Sequence, residues 1–263
     1  MATHTPLGAQ SATFMDSDTD EKKPRRAIYL LPNLLTTSAL FAGFFAIISA
    51  MEGHYQNAAI GVLLAIILDG LDGRIARLTN TQSDFGAEYD SLADVVSFGV
   101  APALIVYEWS LSGLRDQGFI QFGWAAAFLY MACAALRLAR FNTGISQSDK
   151  RFFQGLASPA AAAVIVTLVW MAVDTGLSGR ELIPIALIVT VGTGLLMVSK
   201  FTYYSFKDVG SYMRISFLML LAIVFVFVFV SLDPPKVAFG GFVLYALSGP
   251  FWFLWRWFRR RVH

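Results

Sequence analysis

The sequence predicts an all-α polytopic membrane protein, with about eight transmembrane helices around a polar cavity that faces the cytoplasm. The 263-residue chain is 56% hydrophobic and has a mean hydropathy of +0.60, which is too apolar for a soluble domain. Apolar segments long enough to cross a bilayer follow one another along the chain. Positive charge is concentrated in alternate connecting segments, the pattern that orients membrane proteins.

Eight apolar segments are candidates for membrane spans. They cover residues 29–50, 57–78, 89–111, 121–141, 157–175, 182–200, 214–231 and 237–255. An even number of spans places both termini on one side of the membrane. When that side is the inner one, 17 of the 20 Lys and Arg residues lie in inner segments, and the outer loops hold only Arg115, Arg180 and Lys236. Because positive segments stay inside, we expect both termini to be cytoplasmic.

The domain organisation follows from the same pattern. Residues 1–27 are polar, with an acidic cluster and then a basic flank, and we expect a disordered cytoplasmic tail. This tail lacks the apolar core of a signal peptide. Residues 28–258 form one transmembrane domain, and residues 259–263 form a basic cytoplasmic tail. The single cysteine, Cys133, excludes an internal disulfide bond.

Four aspartates mark the inner ends of the second and third segments. Asp69 and Asp72 are spaced i, i+3, and Asp90 and Asp94 are spaced i, i+4, so each pair shares one helix face. One such pair alone is typical of a solvated helix face or of helix caps. Four carboxylates at a membrane edge would repel one another, and a divalent cation removes that cost. Oxygen ligands without His or Cys favour Mg²⁺, Mn²⁺ or Ca²⁺ over Zn²⁺.

The residues between and around these aspartates fit the pattern D-x2-D-G-x2-A-R-x8-G-x3-D-x3-D. The matching positions are Asp69, Asp72, Gly73, Ala76, Arg77, Gly86, Asp90 and Asp94. The pattern resembles the signature of the CDP-alcohol phosphotransferase family. The resemblance implies that all four aspartates bind one or two divalent cations, Mg²⁺ or Mn²⁺, for which Ca²⁺ can substitute in a structure. It also implies that Asp94 is the general base for the attacking hydroxyl.

The same resemblance implies a set of CDP contacts. Arg77 has a fork-shaped group suited to a diphosphate. Gly73, Ala76 and Gly86 would leave room for the cytidine ring, although small residues also permit close helix packing. A stretch from Pro32 to Thr36 resembles the P-N-x-x-T element of the family, which implies a CDP contact from its asparagine, Asn33. The alternative is that the proline only marks the first turn of a helix.

Three further stretches fall on the same predicted face as the aspartates. They are residues 137–142, 153–161 and 199–207. Together they resemble the phosphatidylserine synthase branch of the family, with one departure, since Leu156-Ala-Ser-Pro159 stands where that branch has Leu-Pro-x-Pro. This resemblance implies CDP-diacylglycerol as donor, L-serine as acceptor, phosphatidylserine and CMP as products, membrane lipids as surroundings and a homodimer in a bacterial inner membrane. No nucleic-acid partner is expected.

The acceptor site is predicted at the end of the fourth segment. Arg137 and Arg140 share one helix face and suit the carboxylate of serine, with Asn142 beside them. The alternative is that both arginines only stabilise the C-terminal end of the helix. Direct attack on the donor is favoured over a covalent intermediate, although Ser91 and Ser97 are candidate nucleophiles.

Other functions stay open at this point. The same chemistry could serve glycerol 3-phosphate, an inositol phosphate or choline, for which Tyr203 and Tyr204 could form an aromatic cage. A cation transporter would also carry intramembrane carboxylates. A transporter predicts acids at midplane depth in several spans, whereas these acids cluster at one end of two.

Overall fold

The computed structural model describes residues 26–143, 152–204 and 217–261. Its helices are α1 (Arg26–Met51), α2 (Tyr55–Leu78), α3 (Asp84–Asp94), α4 (Ala101–Trp109), α5 (Ile120–Asn142), α6 (Ser158–Asp174), α7 (Ile183–Val198), α8 (Phe217–Leu232) and α9 (Pro234–Arg261). A π-helical turn (Val95–Val100) joins α3 to α4, and a 3-10 turn (Leu111–Arg115) follows α4. Two strands, β1 (Phe152–Gln154) and β2 (Thr202–Tyr204), complete the fold. Most of the predicted tail, residues 1–25, lies outside the described residues.

The predicted helical architecture is confirmed, since helical structure covers most of each of the eight predicted segments. Four stretches are long and apolar enough to cross a membrane. They are Leu31–Met51, Asp84–Trp109, Ile120–Asn142 and Pro234–Arg256. Helices α6 and α7 are apolar but only 17 and 16 residues long. These helices indicate an integral membrane protein, although fewer of the described helices than the predicted eight reach the length and apolarity of a full span.

Helix α6 is the centre of the bundle. Residues 161–169 are all buried, and α6 packs against α2, α7 and α9. Helix α1 runs along α2, where a side chain at Gly61 would come within 3.0 Å of the Ala42 carbonyl oxygen. Such close contacts between small residues are typical of packed helices in membranes. In α8 the described side chains, including Phe225 and Phe229, are exposed, as expected of a surface that faces lipid.

The start of α1 differs from the sequence prediction. The helix begins at Arg26, so Pro32 lies in its second turn rather than in its first. Proline has no backbone N–H, so one hydrogen bond to a carbonyl group in the first turn of α1 is missing. Because that bond lies at the end of the helix, the rest of α1 keeps its backbone hydrogen bonds. The Thr36 hydroxyl lies 3.1 Å from the Pro32 carbonyl oxygen, one turn earlier in α1.

The short sheet is an addition to the predicted all-α fold. Strands β1 and β2 pair antiparallel, with Gln154 opposite Thr202. The next residue, Gly155, has φ +81°, and a Cβ there would lie 2.1 Å from the Met197 carbonyl oxygen, so the position requires glycine. Its N–H donates to the Phe201 carbonyl oxygen at 2.8 Å. The sheet therefore fixes the start of α6 beside the end of α7.

Candidate active site

A short polar turn folds α3 back onto the end of α2. Asn80 in this turn has φ +51°, a left-handed conformation that asparagine tolerates better than most residues. Ser83 caps α3, because its hydroxyl oxygen accepts the Gly86 N–H at 3.1 Å. This turn brings the aspartates near the end of α2 beside those of α3.

Three of the predicted carboxylates form a cluster. One ligand oxygen from each of Asp69, Asp72 and Asp90 lies within 4.8 Å of the other two. Asp72 is buried and the other two are half-buried. The Oδ1 atom of Asp90 is buried, and no donor among the described residues reaches it. None of the ion pairs between described residues involves the cluster. Three clustered oxygens that form no ion pair with a described residue fit a divalent cation that prefers oxygen ligands.

Asp94 lies beside this cluster rather than within it. Its carboxylate interacts directly with that of Asp69, but it is not among the three oxygens that converge. The π-helical turn begins at the next residue, Val95. Such turns are rare and are frequently found at functional sites. The structure thus separates Asp94 from the other three aspartates, which sequence spacing alone did not distinguish.

Helix α1 supplies a partner for the cluster. The Thr36 hydroxyl donates to Asp72 Oδ2 at 2.6 Å, and both residues are buried. A buried carboxylate that accepts such a bond is fixed in orientation. The sequence analysis included Thr36 in the P-N-x-x-T element but assigned it no role, since the bond joins residues 36 positions apart.

An open cavity of about 260 Å³ adjoins the cluster. All five residues that were predicted to contact CDP line it, together with Asp72 and Asp90, and these five are Asn33, Gly73, Ala76, Arg77 and Gly86. A Cβ on Gly86 would lie 3.3 Å from Asn33 Oδ1, and one on Gly73 would lie 3.4 Å from Arg77 Nη1. Both glycines line this cavity, and Gly86 also lies close to α1 at Asn33. Sequence reasoning missed Thr81, Gln82, Ser83 and Ala87, which also line the cavity from the turn and the start of α3.

Comparison with known proteins assigns the chain to a family. The sequence profile of the CDP-alcohol phosphatidyltransferase family matches residues 29–195, which include the whole cluster and cavity. The chain belongs to this family.

Named relatives extend the similarity. A CDP-diacylglycerol–serine O-phosphatidyltransferase of Helicobacter pylori is 39% identical over 224 residues, which cover 85% of this chain and 92% of the relative. The Mycobacterium leprae protein of the same name is 38% identical over 190 residues, or 69% of this chain and 61% of the relative. A Bacillus subtilis protein with that name is 34% identical over 178 residues, or 67% and 91%.

The three predicted acceptor residues have different surroundings. Arg137 is half-buried and lies within electrostatic range of Asp94. Arg140 donates from Nη2 to Gln154 Oε1 in β1. Asn142 donates from Nδ2 to the Ser91 hydroxyl oxygen at 2.9 Å, which joins the end of α5 to α3. All three lie at the end of α5 that faces the cluster.

The candidate nucleophiles have structural contacts. The Ser91 hydroxyl accepts from Asn142 and donates to the Ala87 carbonyl oxygen at 2.9 Å. The Ser97 hydroxyl is buried against α1, where it donates to the Ala39 carbonyl oxygen at 3.3 Å. These bonds do not hold either hydroxyl ready for attack on a donor.

Tyr203 of the candidate aromatic cage is engaged in packing. Tyr203 is buried, and its hydroxyl donates to the Ala246 carbonyl oxygen at 2.9 Å. Its ring lies so close to Gly249 that a Cβ there would come within 2.4 Å of it. The remainder of this predicted stretch, residues 205–207, lies outside the described residues.

Proposed function

We propose that this protein transfers the phosphatidyl group of CDP-diacylglycerol to the hydroxyl of L-serine, with phosphatidylserine and CMP as products. The observation that carries this proposal is the cluster of Asp69, Asp72 and Asp90, with Asp94 beside it, next to a cavity lined by the family's nucleotide-contacting positions. The choice of serine is supported by relatives that bear that name and align over most of this chain.

The cluster would hold the divalent cation, for which we propose Mg²⁺ or Mn²⁺. A cation bound there supplies charge stabilisation to the diphosphate during transfer. Asp72 is held for this task by Thr36, and the buried Oδ1 of Asp90 would gain the partner that the described residues do not offer. Arg77 lies at the cavity wall, where its guanidinium would bind the diphosphate.

Asp94 would act on the acceptor. Its carboxylate takes the proton as the serine hydroxyl oxygen attacks the phosphorus next to the lipid, and the bond from that phosphorus to the CMP oxygen breaks. CMP then leaves with the electron pair of the broken bond. Direct attack is supported by the structural contacts of Ser91 and Ser97.

We further propose that all eight predicted segments cross a bacterial inner membrane and that the cavity opens to the cytoplasm. The apolar character of α6 and α7 and the exposed side chains of α8 support the crossings. The position of 17 of the 20 basic residues supports the orientation. A homodimer is proposed from family resemblance alone.

The function can be tested by CMP release from the purified protein in detergent. CDP-diacylglycerol and Mn²⁺ or Mg²⁺ would be supplied with L-serine, glycerol 3-phosphate, inositol phosphate, choline or no acceptor. We expect CMP with serine, and none after EDTA treatment. CMP release only with a different alcohol would support CDP-diacylglycerol as donor and refute serine as acceptor. If folded protein released no CMP with any acceptor, nucleotide-independent cation flux into vesicles that contain the protein would instead support the transporter.

A further inference from the structure

Two further cavities adjoin each other at the end of α4 that points away from the aspartates. The first has a volume of about 560 Å³ and is lined by the end of α4, the 3-10 turn and Arg180 in the turn between α6 and α7. The second, of about 320 Å³, lies between α4 and α5, and Tyr107 lines both. Tyr107 follows Asp94 by about 20 Å of helical rise, so these cavities are distinct from the candidate active site.

The first cavity carries charged side chains of both signs. Two are acidic and two are basic, namely Glu108, Asp116, Arg115 and Arg180. Arg180 pairs with Asp116 at 3.0 Å, whereas Glu108 and Arg115 form no ion pair with a described residue. A carboxylate and a guanidinium without ionic partners suit a ligand that offers an ammonium and a phosphate. Because the four charges balance, the lining favours a headgroup that is also neutral overall.

Hydrogen bonds and close packing fix the walls of this cavity. The Glu108 carbonyl oxygen accepts from the Tyr55 hydroxyl at 3.3 Å. The Ser110 hydroxyl donates to the Gly179 carbonyl oxygen at 2.7 Å, and a Cβ on Gly179 would overlap the Trp109 carbonyl oxygen. The turn between α6 and α7 is therefore held against the end of α4, and the cavity is formed without a ligand, as is usual for binding sites.

The second cavity is an apolar groove. Its lining from the π-helical turn and α4 has the spacing of a single helix face, namely Val100, Ala103, Leu104 and Tyr107. Helix α5 contributes Trp124 and Phe128, which are both exposed. From residue 100 to residue 107 the groove extends about 10 Å along the helix. An elongated, exposed apolar groove in a membrane protein fits an acyl chain.

We propose that the two cavities together bind one aminophospholipid, with its ammonium at Glu108, its phosphate at Arg115 and an acyl chain in the groove. The parts of such a lipid follow one another in the order of the cavities, a charged headgroup and then the chains. A headgroup of one ammonium and one phosphate is neutral, like the lining of the first cavity. The bound lipid would join α4, α5 and the turn after α6. This site goes beyond the proposed function and does not depend on it.

The proposal is tested by native mass spectrometry of the full-length protein, delipidated in detergent and titrated with four lipids. These are phosphatidylethanolamine, phosphatidylserine, phosphatidylglycerol and diacylglycerol. We expect one phosphatidylethanolamine per chain, with a Kd about tenfold below those of phosphatidylglycerol, which lacks the ammonium, and diacylglycerol, which lacks the whole headgroup. Phosphatidylserine should bind more weakly than phosphatidylethanolamine, because its added carboxylate meets the carboxylates of the cavity.

Three variants separate the headgroup from the chain. Glu108→Gln should raise the Kd for phosphatidylethanolamine by about three- to tenfold and remove the preference over phosphatidylglycerol. Arg115→Gln should weaken the binding of all the phospholipids and leave that of diacylglycerol unchanged. Leu104→Trp should weaken the binding of all four lipids, because the larger side chain fills the groove.

Two further variants are matched controls. Glu52→Gln changes an exposed carboxylate in the turn between α1 and α2, outside both cavities. Leu129→Trp introduces the same ring at a leucine that is 37% exposed, as Leu104 is, but does not line the groove. Both should bind the four lipids as the wild type does. If Leu104→Trp does not fold, Glu108→Gln and Arg115→Gln carry the test.

Equal Kd values for the four lipids would overturn the proposal, and so would phosphatidylethanolamine binding that Glu108→Gln and Arg115→Gln leave unchanged. Tighter binding of phosphatidylserine would overturn the choice of headgroup and make this a site for the product of the proposed reaction. The same spectra report the number of chains in each particle. Dissociation of a dimer by Leu104→Trp with unchanged lipid binding would make the groove an interface between two copies and overturn the lipid site.

Discussion

Asp94 is the residue on which the proposed proton transfer depends. Asp94→Asn keeps the size of the side chain and removes the base, so we expect kcat to fall by about 10²- to 10⁴-fold. Donor binding should persist, because Asp94 is not among the three converging oxygens. Turnover would be followed by CMP release, and binding by titration with CDP-diacylglycerol. Asp84→Asn, an exposed aspartate at the start of the same helix, is the matched control.

Unchanged CMP release by the Asp94→Asn variant would exclude Asp94 as the general base. The roles proposed for the other residues of the site would not be affected. Loss of donor binding together with turnover would instead make Asp94 a ligand for the cation or the donor.

Gly86 tests whether the small residues keep the cavity open. An alanine Cβ would lie 3.1 Å from Ser83 Oγ and 3.3 Å from Asn33 Oδ1, and it would intrude on the cavity. We expect Gly86→Ala to raise the KM for CDP-diacylglycerol by about tenfold, since about 1.4 kcal/mol of lost binding corresponds to that factor. Gly192→Ala in α7 meets no atom within 4 Å and should leave that KM unchanged. A donor KM that stays at the wild-type value in Gly86→Ala would refute this role.

At the scale of elements, the contact of α1 with the π-helical turn positions the carboxylates. A Cβ on Gly43 would lie 2.5 Å from Ser97 Oγ and 2.9 Å from Ser97 Cα, which is backbone and cannot rotate away. Gly43→Ala should therefore destabilise the protein by about 1–3 kcal/mol and reduce turnover. The apparent Tm in detergent would measure this effect. Gly240→Ala in α9, with no atom within 4 Å, is the control, and equal Tm values for the two variants would contradict the prediction.

The helices and the meeting of the aspartates were predictable because their signals are local. Apolar runs mark each helix, and the spacing of Asp69, Asp72 and Asp90 places them near one turn. The two strands were missed because three residues are too few to show an alternating pattern. The hydrogen-bond partners of Arg137 and Arg140 were missed as well. The bond of Arg137 joins residues 21 positions apart and that of Arg140 joins residues 14 positions apart, so both depend on how α5 packs.

For the whole molecule, the central prediction is its orientation in the membrane. Cys133 is buried, so thiols introduced at the surface can be labelled above a low background. Arg180→Cys, in the turn between α6 and α7, should react with an impermeant maleimide in intact bacterial cells. Asp84→Cys, near the active site, should react only after the cells are opened. The reverse pattern would place the cavity outside the cytoplasm.

The account as a whole is tested most directly by the transfer of labelled serine to lipid. Purified protein would be incubated with CDP-diacylglycerol, Mn²⁺ or Mg²⁺ and ¹³C-labelled L-serine, and the lipid products would be measured by mass spectrometry. The account predicts labelled phosphatidylserine in an amount equal to the CMP released, and a decrease of both to background with Asp94→Asn or EDTA. Folded protein that binds CDP-diacylglycerol but forms no labelled phosphatidylserine would contradict it.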